Sequence, residues 1–205
     1  MVAGKRSLAK VKIPGIEFRY SWVYNQENRA RFTDPLYPSA DSIREYIGEV
    51  REAWKPKQRS LLSAIARSSG LPWREESIVC YVVGRGVPMS DPLTMPLYEN
   101  DMELFIEKLV HELIERILMH PRSLEVKRDF WEAMFRAFGS DGVKVSYRVP
   151  VNAIYSEIHE KHFKLSQAYS ESLVTRNLDY RRAWEIVNEL GHKNIIERFR
   201  EGTWD

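Results

Sequence analysis

Leu109-Val110-His111-Glu112-Leu113-Ile114-Glu115-Arg116-Ile117-Leu118 is the stretch on which the reading of this chain turns. At about 100° per residue, the apolar periodicity predicts a helix over 101–119 that is hydrophobic around most of its circumference, and therefore buried. Ile106, Leu109, Val110, Leu113, Ile114 and Ile117 make its broad core face. His111 and Glu115 fall in another sector, flanked by Leu104 and Leu118, while Glu112 projects to one side near Lys108 and Arg116. Asn100 or Asp101 is the expected cap and Pro121 the terminator.

Working outward, Ile78 to Val83 is the strongest strand pattern and reads as buried on both faces, ending at Gly84-Arg85-Gly86. Asp91 to Tyr98 carries two prolines, which predicts an edge strand or an extended segment. Upstream, Val11 to Tyr24 alternates, with Ile16, Phe18, Tyr20 and Trp22 on one face and Pro14-Gly15 as an interruption. Asn25 to Tyr37 reads as a loop. Ser42 with Glu45 forms an expected capping box for a helix through Ile43, Tyr46, Ile47, Val50 and Trp54. Lys55-Pro56 should break it, and Leu61, Leu62, Ile65 and Ala66 resume it until Gly70. Downstream, the pattern predicts an amphipathic helix through Phe130, Trp131, Met134 and Phe138, then a turn at 139–142. A strand follows at 143–149, then helices at about 151–164, 179–190 and 192–200. The sum is one α+β domain over 1–205, a small mixed sheet packed by several helices around a central buried helix, with a helical C-terminal part from about 151.

Composition narrows the function classes. With 43% hydrophobic and 29% charged residues over 205 positions, the chain reads as globular and able to bury a sizeable core. A net charge of +2 imposes no strong field for nucleic acid or an anionic membrane. Arg181, Arg182, Lys193, Arg198 and Arg200 have nearby acids such as Glu185 and Glu197 and read as a solvated face. The single cysteine, Cys80, excludes an internal disulfide and points to a reducing, cytoplasmic setting. The basic N-terminus lacks the apolar run of a signal peptide, and no segment is long and apolar enough to span a bilayer. Few glutamines beside many Arg, Glu and Lys give a bias shared with heat-adapted proteins. No P-loop, dinucleotide fingerprint or nucleophile elbow is present.

His111 and Glu115, at i and i+4, can converge on one point, the spacing a metal ion needs of two ligands on one helix. Glu112, next to the first ligand, stands where a general base can reach an activated water. A third ligand has to come from elsewhere, and Val151 to His162 is the best source, because His159 and His162 fall among Ile154, Tyr155, Ile158 and Phe163. Asn152, Ser156 and His159 share a sector that could hydrogen-bond to ligands. The bland reading of the same residues is that Glu107, His111 and Glu115 are i,i+4 partners and that the two histidines sit hydrogen-bonded in a helix interface.

Over roughly 78–163, the order of a buried strand, an extended segment, a long His-Glu helix and a further His-bearing helix resembles the zincin metallopeptidase fold. The resemblance implies a zinc-dependent (or, as second choice, iron-dependent) hydrolase of peptide bonds, with His111 as first ligand and Glu112 as catalytic base. Glu115 stands where the family has its second histidine, and His159 is implied as third ligand, all three ligands about 2.0–2.2 Å from one ion. The missing imidazole leaves the site either active or degenerate. The alternative is a non-catalytic binding or structural protein of zincin-like shape, with a protein partner favoured over nucleic acid. For that alternative the apolar stripe Ile195, Ile196 and Phe199 could pack in cis or on a partner.

Overall fold

The computed structural model describes residues 12–32, 36–138, 143–163 and 177–204. Among them the fold is α+β, with a four-stranded mixed sheet and nine helices. β1 (Gly15–Tyr20) pairs in parallel with β2 (Ser77–Val83), Phe18 opposite Cys80. β2 pairs in parallel with β4 (Leu93–Pro96), and β3 (Met89–Ser90) closes the sheet as an antiparallel edge, giving the order β1-β2-β4-β3. Between β1 and β2 the chain crosses over through α1 (Trp22–Arg31), α2 (Ala40–Trp54) and α3 (Gln58–Ser69).

Side chains alternate across β2 as a strand requires. Ile78, Cys80 and Val82 are at most 2% exposed on the face turned to α2 and to α4 (Met102–Met119). Val79 and Tyr81 are only half-buried on the other face, where the Tyr24 ring of α1 meets Tyr81 at 4.8 Å. Burial on both faces, expected from the apolar run, therefore holds for one face and partly for the second. The segment expected at a sheet edge is interior: β4 lies between β2 and β3 and is buried at every residue. Its prolines do not prevent this, because Pro92 precedes the strand and Pro96 ends it. The next N–H, that of Leu97, donates to the Val83 carbonyl at 2.9 Å.

Two further expectations are corrected. The loop expected over 25–37 begins as α1, capped by Ser21, whose side chain accepts from the Tyr24 N–H. This helix has almost no apolar stripe and is held by polar contacts. Buried Asn25 accepts from the Gly84 N–H at 3.1 Å and from the Tyr37 hydroxyl at 2.9 Å. Gly84 has to be glycine there, since a Cβ would lie 2.6 Å from the Tyr37 ring. The strand expected over 143–149 is instead the start of α7 (Val143–His162), a helix that runs through Pro150. Val145 and Val149, four residues apart, are both buried, and Tyr147 packs on Trp131 and Phe135 at 5.4 Å each, so helical packing overrides a β-prone sequence.

Helix ends follow the chemistry of their residues. α2 starts earlier than a Ser42–Glu45 capping box would place it, with Ser39 as the cap accepting from the Ser42 N–H. Asp101 caps α4, and Pro121 opens α5 (Pro121–Val126), which is followed by α6 (Arg128–Phe138). The chain finishes with α8 (Leu178–Leu190) and α9 (His192–Glu201). The Ile195, Ile196 and Phe199 stripe packs in cis, Phe199 lying 5.0 Å from Phe130 and 5.8 Å from Trp131. The turn expected at 139–142 lies outside the described residues. No helix among those residues is long and apolar enough to cross a membrane.

Candidate functional site

α4 is the axis of the molecule. It packs on β3 and β4 along one side and on α7 along another, so the polar residues it carries are enclosed. Glu107, His111 and Glu112 are 4%, 2% and 6% exposed, values unusual for ionisable side chains and therefore in need of a physical reason.

The reason is a polar seam between two antiparallel helices. Glu107, His111 and Glu115 follow one another at i, i+4 and i+8 on α4. Arg148, Asn152, Tyr155 and His159 do so on α7, at spacings of four, three and four. His159 Nε2 lies 3.8 Å from Glu107 Oε1, the His111 and Tyr155 rings meet edge-on at 5.9 Å, and the Arg148 charge acts on Glu115. Tyr180, near the start of α8, closes the seam from a third side, 6.4 Å from the His111 ring and with the Arg148 guanidinium 4.0 Å above its own ring.

His111, Glu112 and Glu115 each offer a ligand atom, and the three atoms lie within 4.8 Å of one another. Glu112 Oε1 is 3.4 Å from His111 Nδ1; with the proton on Nδ1 the ring would donate to the carboxylate and leave Nε2 as the acceptor nitrogen. Glu112 is buried, and its charge acts on Cys80 and Tyr98 as well as on Glu115 and Tyr180. Arg116 reaches away to Glu75 at 2.8 Å and to the Ser90 carbonyl and Asp91 carboxylate at 2.8 and 3.0 Å, bracing the β3–β4 turn. Lys108 lies over the Tyr98 ring at 4.9 Å.

Of the residues singled out in the sequence, His111, Glu112 and Glu115 are brought together. His159 is placed beside Glu107, stacked on Phe163 at 5.7 Å, and is not in the three-residue group. His162, expected on the buried arc, is exposed. Cys80 is fully buried, and burial together with the Glu112 charge pushes its thiol well above the usual range, in keeping with a structural cysteine. Arg148 and Tyr180 were not legible as site residues. The stripe Arg148–Asn152–Tyr155–His159 exists only when 143–149 is helical, and reading that segment as a strand hides it.

The electrostatics of the seam are those of acids short of a cation. Burial first, and then the neighbouring Glu112 charge, raise the Glu115 carboxyl, with His111 and Arg148 opposing. Glu107 is pushed up to about 7 by burial, with Glu103 and Asp101 adding to it. The folded state thus holds the Glu107 proton more tightly than the unfolded chain does. Stability from this group is full below about pH 4.5 and is lost as the pH rises through about 7. The shift corresponds to about 3 kcal/mol, at 1.36 kcal/mol per pH unit. Glu107→Gln is expected to remove this slope. Denaturation of chelator-treated protein between pH 4.5 and 8 should show the variant gaining on the parent across the window. Parallel pH curves would disprove the assignment.

No protein-family model matches the chain, and comparison with curated proteins and with solved structures finds no match either.

Proposed function

We propose that the protein is a zincin-like, metal-dependent hydrolase of peptide bonds, with His111 and Glu115 as cation ligands and Glu112 as general base. The observation that carries this reading is the grouping of one imidazole and two carboxylates within 4.8 Å on a buried helix. An imidazole with carboxylates is a donor set suited to zinc, or to iron as second choice. The carboxylates also lack full compensation where they stand, as the raised Glu115 shows, so a divalent cation would offset their desolvation. When bound, such an ion supplies Lewis acidity toward a carbonyl oxygen and a water.

The chain's own part is to orient and to move a proton. With its proton on Nδ1 and directed at Glu112, the His111 ring would present Nε2 as the ligating atom. The Glu112 carboxylate, shielded from bulk water beside the sheet, would accept a proton from the attacking water and return it to the leaving amine. The Arg148 charge acts on Glu115, and its guanidinium, seated over the Tyr180 ring, would steady that ligand.

A second reading, a non-catalytic binding protein of the same shape, is favoured by one observation: Tyr155 and Tyr180 rest against His111, which is only 2% exposed. Substrate access would need those rings to move.

Elemental analysis of untagged protein separates these readings. Near-stoichiometric zinc or iron in the parent, lost in His111→Ala with affinity weakened at least about 100-fold, is the expected result. No metal in either protein after reconstitution would end the hydrolase reading. Metal without peptide cleavage over a broad substrate panel would favour the binding protein.

A further inference from the structure

We infer that Asn152 supplies, through its carboxamide oxygen, the third protein ligand to the cation held by His111 and Glu115; the assignment rests on the metal-site reading above. Asn152 is 0% exposed, and neither its Oδ1 nor its Nδ2 has a hydrogen-bond partner. A buried primary amide with both ends unmatched is costly, and native interiors rarely keep one without a use for it. Its nearest helical neighbour does not relieve it, because the Ser156 hydroxyl donates to the Asn152 backbone carbonyl at 2.9 Å instead.

Position then points to the use. α4 and α7 run antiparallel, with Tyr155 at the level of His111 and His159 at that of Glu107, and with the Arg148 charge acting on Glu115. Asn152 lies one turn beyond Arg148 and just short of Tyr155 on the same stripe, which sets it level with the His111–Glu115 pair. His159, by contrast, is a turn further along and engaged with Glu107 and Phe163. The resulting donors are an imidazole nitrogen, a carboxylate oxygen and a neutral amide oxygen, a mixed set that carries one negative charge. Glu112 is thereby left to act as a base instead of being consumed as a ligand.

The test is calorimetric titration of the chelator-stripped full chain with Zn²⁺, comparing the parent with His111→Ala, Asn152→Leu and Asn152→Asp. Leucine keeps the branching at Cγ and removes both polar ends of the amide. Asn152→Leu is expected to lose at least about tenfold in Zn²⁺ affinity while the metal-free protein melts at the same temperature or higher. Asn152→Asp should bind at least as tightly as the parent, with an affinity that falls more steeply toward low pH. X-ray absorption of the Zn²⁺ complexes should show one oxygen neighbour fewer in the leucine variant. Parent-like affinity in Asn152→Leu, with binding abolished in His111→Ala, overturns the role of Asn152 and leaves the metal site standing. A lower metal-free melting temperature with unchanged Zn²⁺ affinity in the leucine variant assigns the amide to folding alone and likewise overturns it. Binding unaffected by His111→Ala, or absent from the parent, overturns the metal-site reading and this inference together.

Discussion

Phe105→Ala is expected to lower the stability of the chain by about 3–5 kcal/mol, the range for removing a fully buried aromatic side chain. Phe105 is 0% exposed, and its ring lies 6.2 Å from Phe18, 5.7 Å from Tyr46 and 6.2 Å from Tyr98. Those partners belong to β1, to α2 and to the segment after β4, so one side chain ties α4 to the three other walls of the core. None can relax into the space without disturbing its own neighbours. Phe18 also packs on Trp54, and the Tyr46 hydroxyl meets the Tyr98 N–H at 3.4 Å. Restricted collapse favours the upper part of the range. Chemical denaturation of parent and variant reads the difference. A loss below about 1 kcal/mol would mean that α4 is held chiefly through its α7 side.

On the proposed hydrolase reading, Glu112→Gln is expected to lower peptide hydrolysis by about 10²–10⁴-fold while leaving bound metal in place, because glutamine keeps the shape but takes no proton. The substitution also turns the His111 contact from carboxylate to amide oxygen. A modest fall in metal affinity is therefore compatible with the assignment, whereas loss of metal is not. Turnover equal to that of the parent would remove Glu112 from the chemistry. A rise in KM with unchanged kcat would point to substrate binding rather than proton transfer.

What the sequence made legible was whatever depends on local chemistry. α4 announces itself through its apolar circumference and its Asp101 and Pro121 boundaries, β2 through its β-branched run, and α3 through Gly70, which ends it at a φ of 68°. The i,i+4 placement of His111 and Glu115 is also local, and the structure gathers those two with Glu112. Long-range packing was not legible. α1 has nothing but Asn25 buried, so its helicity leaves no periodic trace. The 143–149 segment alternates Val, Val, Tyr and Val as a strand would, and the burial of Val145 and Val149 together with the aromatic wall of α6 makes the helix the better solution. That single exchange of strand for helix removed Arg148 from view and left the α7 stripe without its first member. Glu107 read as an ordinary i,i+4 partner until His159 was placed across from it.

The seam between α4 and α7 joins segments far apart in the chain, and this has a kinetic consequence. Isolated α4 can bring His111 and Glu115 together as soon as it is helical, whereas the α7 half of the seam arrives only after a long loop has closed. Captured early, a cation would meet two donors and dissociate readily. Captured late, it would be locked in by the docked helix. On the proposed metal-site reading, metal retention measured during refolding would therefore work as a clock for the docking of α7, running independently of helix content.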